Sequence, residues 1–188
     1  MNEYEESVAD EIRIAIWSGF HSLSDVLFMV KQCDESEVDQ QTLGEFARSE
    51  FQAKRDDEAT WPPITDCVLL DEVFEVLISD EIVALQNAGF TMSDGLSAVN
   101  VALADFNPDR VRGYCFYHEQ DVAGAVEGYG LWLAYGDIAN TENGKRAIGE
   151  LVKAELERRG FIVDWNGNPD TRIKLPKIVW QRLSPNDK

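Results

Sequence analysis

Trp61-Pro62-Pro63 splits this chain into two stretches with different hydrophobic periods. Two consecutive prolines remove two backbone donors, and their rings clash with a preceding helical turn, so no helix runs through them. A charge run, Arg55-Asp56-Asp57-Glu58, leads into them. The break therefore predicts a boundary between residues 1–57 and residues 61–188.

Before the break the chain reads as helical throughout. Val8, Ile12, Ile16 and Phe20 recur at four-residue spacing, widened by Ile14, Ala15 and Trp17, which is one face of a helix. Gly19 ends it. Ser24 is placed to cap a short second helix carrying Val26, Leu27 and Val30, and Ser36 or Asp39 a third with Leu43, Phe46, Ala47 and Phe51 on one side.

After the break short apolar runs alternate with helical patterns. Thr65 or Asp66 caps a helix, Ile82-Val-Ala-Leu-Gln86 reads as a strand, and Ser93 or Asp94 caps a helix stopped by Asn107-Pro108. Gly113-Tyr-Cys-Phe-Tyr117 and Leu131-Trp-Leu-Ala-Tyr135 are two further strands with a short helix between them. Thr141 caps the longest helix, which ends at Arg158-Arg159-Gly160. Phe161–Trp165 is read as a fourth strand, turned at Asn166-Gly167 into Thr171–Leu175, with Ile178-Val-Trp180 as one more. The expected fold class is α+β: one mixed β-sheet with helices packed largely on one face, preceded by a helical N-terminal appendage.

Charge narrows the partners. Residues 1–60 hold 5 basic and 15 acidic side chains, residues 61–140 hold 2 and 13, and residues 141–188 hold 10 and 7, for a net −18. A field of that sign repels phosphate backbones and anionic membranes, so neither nucleic acid nor membrane is an expected partner. It favours a basic protein or a cationic ligand. No basic leader with an apolar run opens the sequence, and no stretch approaches 18 apolar residues, so the expected location is cytoplasmic. Cys33, Cys67 and Cys115 are odd in number and far apart, which suits reduced thiols. With two histidines and no Cys-x-x-Cys, no metal site and no cofactor is expected.

Candidate site residues lie where strands hand over to helices. Gln86-Asn-Ala-Gly-Phe-Thr-Met-Ser-Asp-Gly95 is a polar loop after a buried strand, and His118 stands between a strand and a helix opened by Glu119, Gln120 and Asp121. If the first three strands run parallel, Gln86, Asn87, His118 and Tyr135 emerge at one sheet edge, with Asp94 or Asp121 beside the histidine. The plainer expectation is that Asp94 caps a helix and that Glu119 or Asp121 serves the helix dipole with His118 half exposed. Cys115 and His118 are three apart, on opposite sides of a strand unless it ends before His118. Gly128-Tyr-Gly130 precedes a strand and is a turn, not a nucleotide loop.

The segments Trp61-Pro-Pro-Ile-Thr-Asp66, Ala84–Gly89 with Ser93-Asp-Gly95, Arg112–His118 and Asp170-Thr-Arg-Ile173 occur in order. Over residues 60–183 the chain resembles a bacterial family known only as a domain of unknown function. The resemblance implies a bacterial, cytoplasmic origin and brings no activity, cofactor or catalytic residue with it.

Two readings of function follow. The first is a non-enzymatic interaction module that binds a basic partner, for example a neutraliser of a basic toxin. The second is a small-molecule-binding or hydrolytic domain, in which Gln86 and Asn87 orient a ligand and His118 is the acid–base group with Asp121 or Asp94 as its carboxylate. The helical appendage packs on its own chain or forms a dimer.

Overall fold

A computed structural model describes residues 3–185. The chain forms two compact units, one of Met1–Thr65 with Gln181–Lys188, the other of Asp66–Trp180.

The first unit is built from α1 (Glu3–Ser18), α2 (Leu23–Gln32) and α3 (Gln40–Glu58). Val8, Ile12 and Ile16 meet Val26, Val30, Leu43, Ala47 and Phe51 in one core. Gly19 ends α1 at φ 75°, the left-handed residue that closes many helices. Ser22, not Ser24, caps α2, forming a reciprocal box with Asp25. Both serines fit the pattern, but only Ser22 stands three residues before an acid that reaches back. Asp39 caps α3 by accepting from the backbone N–H of Gln41 and Thr42.

This unit also draws in the far end of the chain. Lys54 is fully buried, and its Nζ donates at 3.1 Å to the Ile16 carbonyl, which also accepts from the Gly19 N–H at the end of α1. Nζ also lies 3.5 Å from Glu58. Glu58 Oε1 accepts from both the backbone N–H and the hydroxyl of Ser184, each at 2.7 Å. Burial pushes the Glu58 carboxyl up, but the Ser184 hydrogen bonds, with Arg55 and Lys54, outweigh it and hold the group below its ordinary value. The Arg182 guanidinium sits 4.6 Å over the Phe20 ring.

The second unit carries α4 (Asp66–Ser79), β1 (Ile82–Leu85), α5 (Met92–Ala102), β2 (Gly113–Phe116), α6 (Glu119–Val126), β3 (Leu131–Asp137), α7 (Glu142–Arg158) and β4 (Ile173–Leu175). The sheet order is β1-β2-β3-β4, with β1 and β2 parallel and the other two pairings antiparallel. This is a mixed sheet in an α+β fold. α4 and α7 pack against one another and against the face that carries Cys115 and Tyr135. On the opposite face Val99 of α5 packs with Val83, Phe116 and Ala134. Gly95 permits that approach, since a Cβ there would lie 2.2 Å from the Phe116 ring.

Three local expectations change. Phe161–Trp165 and Ile178–Trp180 form no strand; the only trace of the expected hairpin is an isolated antiparallel bridge, Asp164 to Lys174. β4 instead pairs with β3, Leu131 opposite Leu175 and Leu133 opposite Ile173, because those apolar side chains are wholly buried there. The cap of α5 is Thr91, and Asp94 is the third helical residue that returns the box. The backbone N–H of Val179 donates to Asp66 at 2.8 Å, which holds the last residues of this unit in an irregular path.

Replacing Gly95 with alanine is expected to destabilise the chain by about 1–3 kcal/mol through overpacking, read as a lower midpoint in urea unfolding. Ser184→Ala is expected to lose about 1 kcal/mol, since one hydrogen bond to Glu58 goes while the backbone one stays. An unchanged midpoint would show that the Ser184 hydroxyl contributes nothing to the stability of the helical unit.

Candidate functional site

The site lies where β1 and β2 end. β1 stops at Leu85 and β2 at Phe116, but their pairing continues irregularly: Tyr117 N–H donates to the Leu85 carbonyl, Ala88 N–H to the Tyr117 carbonyl at 2.8 Å, and Glu119 N–H to the Gly89 carbonyl at 2.9 Å. Asn87 at φ 51° and Gly89 at φ 70° give the loop its reversal. The Tyr117 hydroxyl donates to Gln86 Oε1 at 2.6 Å. Gln86 is thereby held by a buried tyrosine.

His118 is the residue before α6 and is buried, not half exposed. Its backbone N–H donates to Asp121 Oδ2 at 3.0 Å, and its Nδ1 lies 3.2 Å from that same oxygen. The ring atom is close to the carboxylate but poorly aimed for a hydrogen bond, and Nδ1 has no hydrogen-bond partner. Arg172, one residue ahead of β4, completes the cluster: its Nη2 donates to Asp121 Oδ2 at 2.6 Å and to the Trp132 carbonyl at 2.9 Å. Two donors from distant segments thus meet on one carboxylate oxygen, with the His118 ring beside it.

Electrostatics follow from this geometry. Burial disfavours the imidazolium and holds the His118 titration point below its ordinary value; Asp121 pulls the other way, Arg172 adds to the depression, and Asp94 opposes it. The Cys115 thiol is sealed and pushed up to about 12 by burial, against a smaller opposing effect of Arg172. A thiol with that titration point is no nucleophile at neutral pH. Asn87 Oδ1, His118 Nδ1 and Arg172 Nε are all buried without a hydrogen-bond partner.

The sequence candidates separate into three groups. Asn87, His118 and Asp121 come to one end of the sheet, with Gln86 alongside. Asp94 is exposed; its carboxylate caps α5 through the side chain and backbone of Thr91, which lower its titration point, and it reaches His118 only through its charge. Tyr135 does not join them. β3 runs antiparallel to β2 and sets Tyr135 opposite Cys115, where its hydroxyl donates to the Asn168 carbonyl at 3.1 Å. The parallel direction that its inclusion required does not occur. Arg172 was the residue missed. Its signal was an arginine entering an alternating apolar strand, but its carboxylate partner lies 51 residues earlier, and no local pattern pairs them.

Among the described residues, no group of three or more His, Cys, Asp or Glu is arranged to hold a metal ion, and no helix is long and apolar enough to cross a membrane.

Asp121→Asn is expected to destabilise the chain by about 2–3 kcal/mol, because it leaves Arg172 without its anion. It is also expected to lower the His118 titration point further, since the main charge favouring the imidazolium is removed; ring-proton NMR reads this. A depressed histidine contributes stability that is fully present above its ordinary value of 6.5 and is lost as pH falls below it. Thermal unfolding of the wild-type chain should therefore move to lower temperature as pH drops through that value.

No curated protein and no solved structure matches this chain. A family model described as a domain of unknown function (DUF6891) matches residues 1–184, reaching past the 60–183 of the sequence resemblance to take in the N-terminal helices. The chain belongs to the DUF6891 family, a domain of unknown function.

Proposed function

We propose that this protein is a non-enzymatic interaction module of the bacterial cytoplasm that binds a basic protein through its acidic surface. The observation that carries this reading is the placement of the carboxylates. Of the acidic residues described, only Asp121 and Glu155 are buried. With 35 acids against 17 Lys and Arg, at least 18 carboxylates have no cation even if every cation pairs once. Of the ten basic residues in 141–188, five pair with carboxylates: Arg159 with Glu72 at 2.8 Å, Arg172 with Asp121 at 2.6 Å, Arg158 with Glu155, and Lys153 with Glu157 and Arg146 with Glu142 at 3.7 Å each. What remains outward is a negative field that speeds encounter with a basic surface.

The 3.2 Å approach of His118 to Asp121 favours a second reading, a small-molecule or hydrolytic site at the strand ends. The carboxylate would keep the ring proton on Nδ1 and leave Nε2 as the basic nitrogen. Asn87 Oδ1 and Arg172 Nε beside it are buried without a hydrogen-bond partner.

Immobilised full-length protein, exposed to native cytosol, is expected to retain a basic protein at low salt and lose part of it at moderate salt, as screened charge pairs do. Retention of no basic protein at either salt would overturn the interaction reading.

A further inference from the structure

We propose that the Asp121–Arg172 ion pair is a proton-operated latch: when His118 takes up a proton, Arg172 leaves Asp121 and frees the start of β4.

The geometry sets the two cations in competition for one oxygen. Asp121 Oδ2 already accepts from the His118 backbone N–H at 3.0 Å and from Arg172 Nη2 at 2.6 Å, with His118 Nδ1 3.2 Å away. An oxygen holding two donors has little capacity for a third. While the imidazole is neutral, Arg172 has the carboxylate to itself. Once the ring is an imidazolium, two positive groups converge on one anion whose side chain is only 5% exposed, where screening is weak. The one nearer water gives way. The Arg172 side chain is 29% exposed and that of His118 is 6%, so the guanidinium swings out and is hydrated while the imidazolium keeps Asp121.

The surroundings offer no other neutraliser in contact. From α6, Asp121 faces the ring, and Glu119 is exposed; from α5, only the distant charge of Asp94 acts, and that carboxylate is held by Thr91. β4 supplies Arg172, while Lys174 lies 4.9 Å from the Trp132 ring. β2 supplies the Cys115 thiol, which stays neutral, and the Tyr117 hydroxyl, which is bonded to Gln86. Asn87 is uncharged. Departure of Arg172 also removes its bond to the Trp132 carbonyl. β4 is only Ile173–Leu175, paired with β3 over three residues. A strand that short depends on its anchors.

Amide hydrogen exchange of the full-length chain, from pH about 7.5 to about 4.5 with ring-proton NMR of the two histidines in parallel, tests this. His21, in the helical unit, serves as the internal reference. The expected result is a loss of about tenfold or more in the protection factors of Ile173–Leu175, with its midpoint at the His118 titration, while β1 and α5 stay unchanged. His118→Gln is expected to abolish that step. Protection of β4 that does not change with pH, or changes at a midpoint different from that of the His118 ring, overturns the latch. So does an identical step in His118→Gln. If that variant does not fold, the coincidence of midpoints in the wild-type chain decides alone.

Discussion

One carboxylate oxygen organises the exit end of the sheet. Asp121 Oδ2 ties the turn out of β2 to the first turn of α6 through the His118 N–H, and ties both to the lead-in of β4 through Arg172. The arrangement depends on burial. In water the same charge pair would contribute less than about 1 kcal/mol; with Asp121 almost fully enclosed, separation leaves an anion without solvent or partner. Because Arg172 also bonds the Trp132 carbonyl, the pair fixes the position where β4 begins on β3. β3 returns beside β2 in the antiparallel direction, which sets Tyr135 opposite Cys115 and away from His118.

The helical unit uses the same device with the charges exchanged. There the buried cation is Lys54, which stops the end of α1, and Glu58 beside it is satisfied by a serine 126 residues later. In both places a charge taken out of water is balanced by a group distant in sequence. Apart from Asp121 and from Glu155, which is buried against Arg158, the described carboxylates are not buried, so hydration is kept and mutual repulsion is screened.

Much was legible before any coordinates. The apolar spacing of Val8, Ile12 and Ile16, the caps at Asp39 and Thr141, the stop at Gly19 and the runs at Ile82, Gly113 and Leu131 all depend on neighbours within one or two turns, and the structure has them. The choice of Ser93 or Asp94 over Thr91 went wrong because a capping box reads backwards: the acid marks the third helical residue, and the cap stands three before it. Phe161–Trp165 has the composition of a strand but meets the free edge of β4 at a single bridge, Asp164 to Lys174.

By itself, then, the sequence determined the helices, the first three strands, the α+β class and the outward acidic coat, since propensity, capping and net charge act over short range or need no geometry at all. It also brought His118 and Asp121 together, three residues apart across a strand-to-helix turn. Tertiary structure alone decided the strand directions, the exclusion of Tyr135, the recruitment of Arg172 and the return of Ser184 to Glu58. Those are encounters between segments that only the closed fold brings within a hydrogen bond's reach, and their energies arise from the burial that the same closure creates.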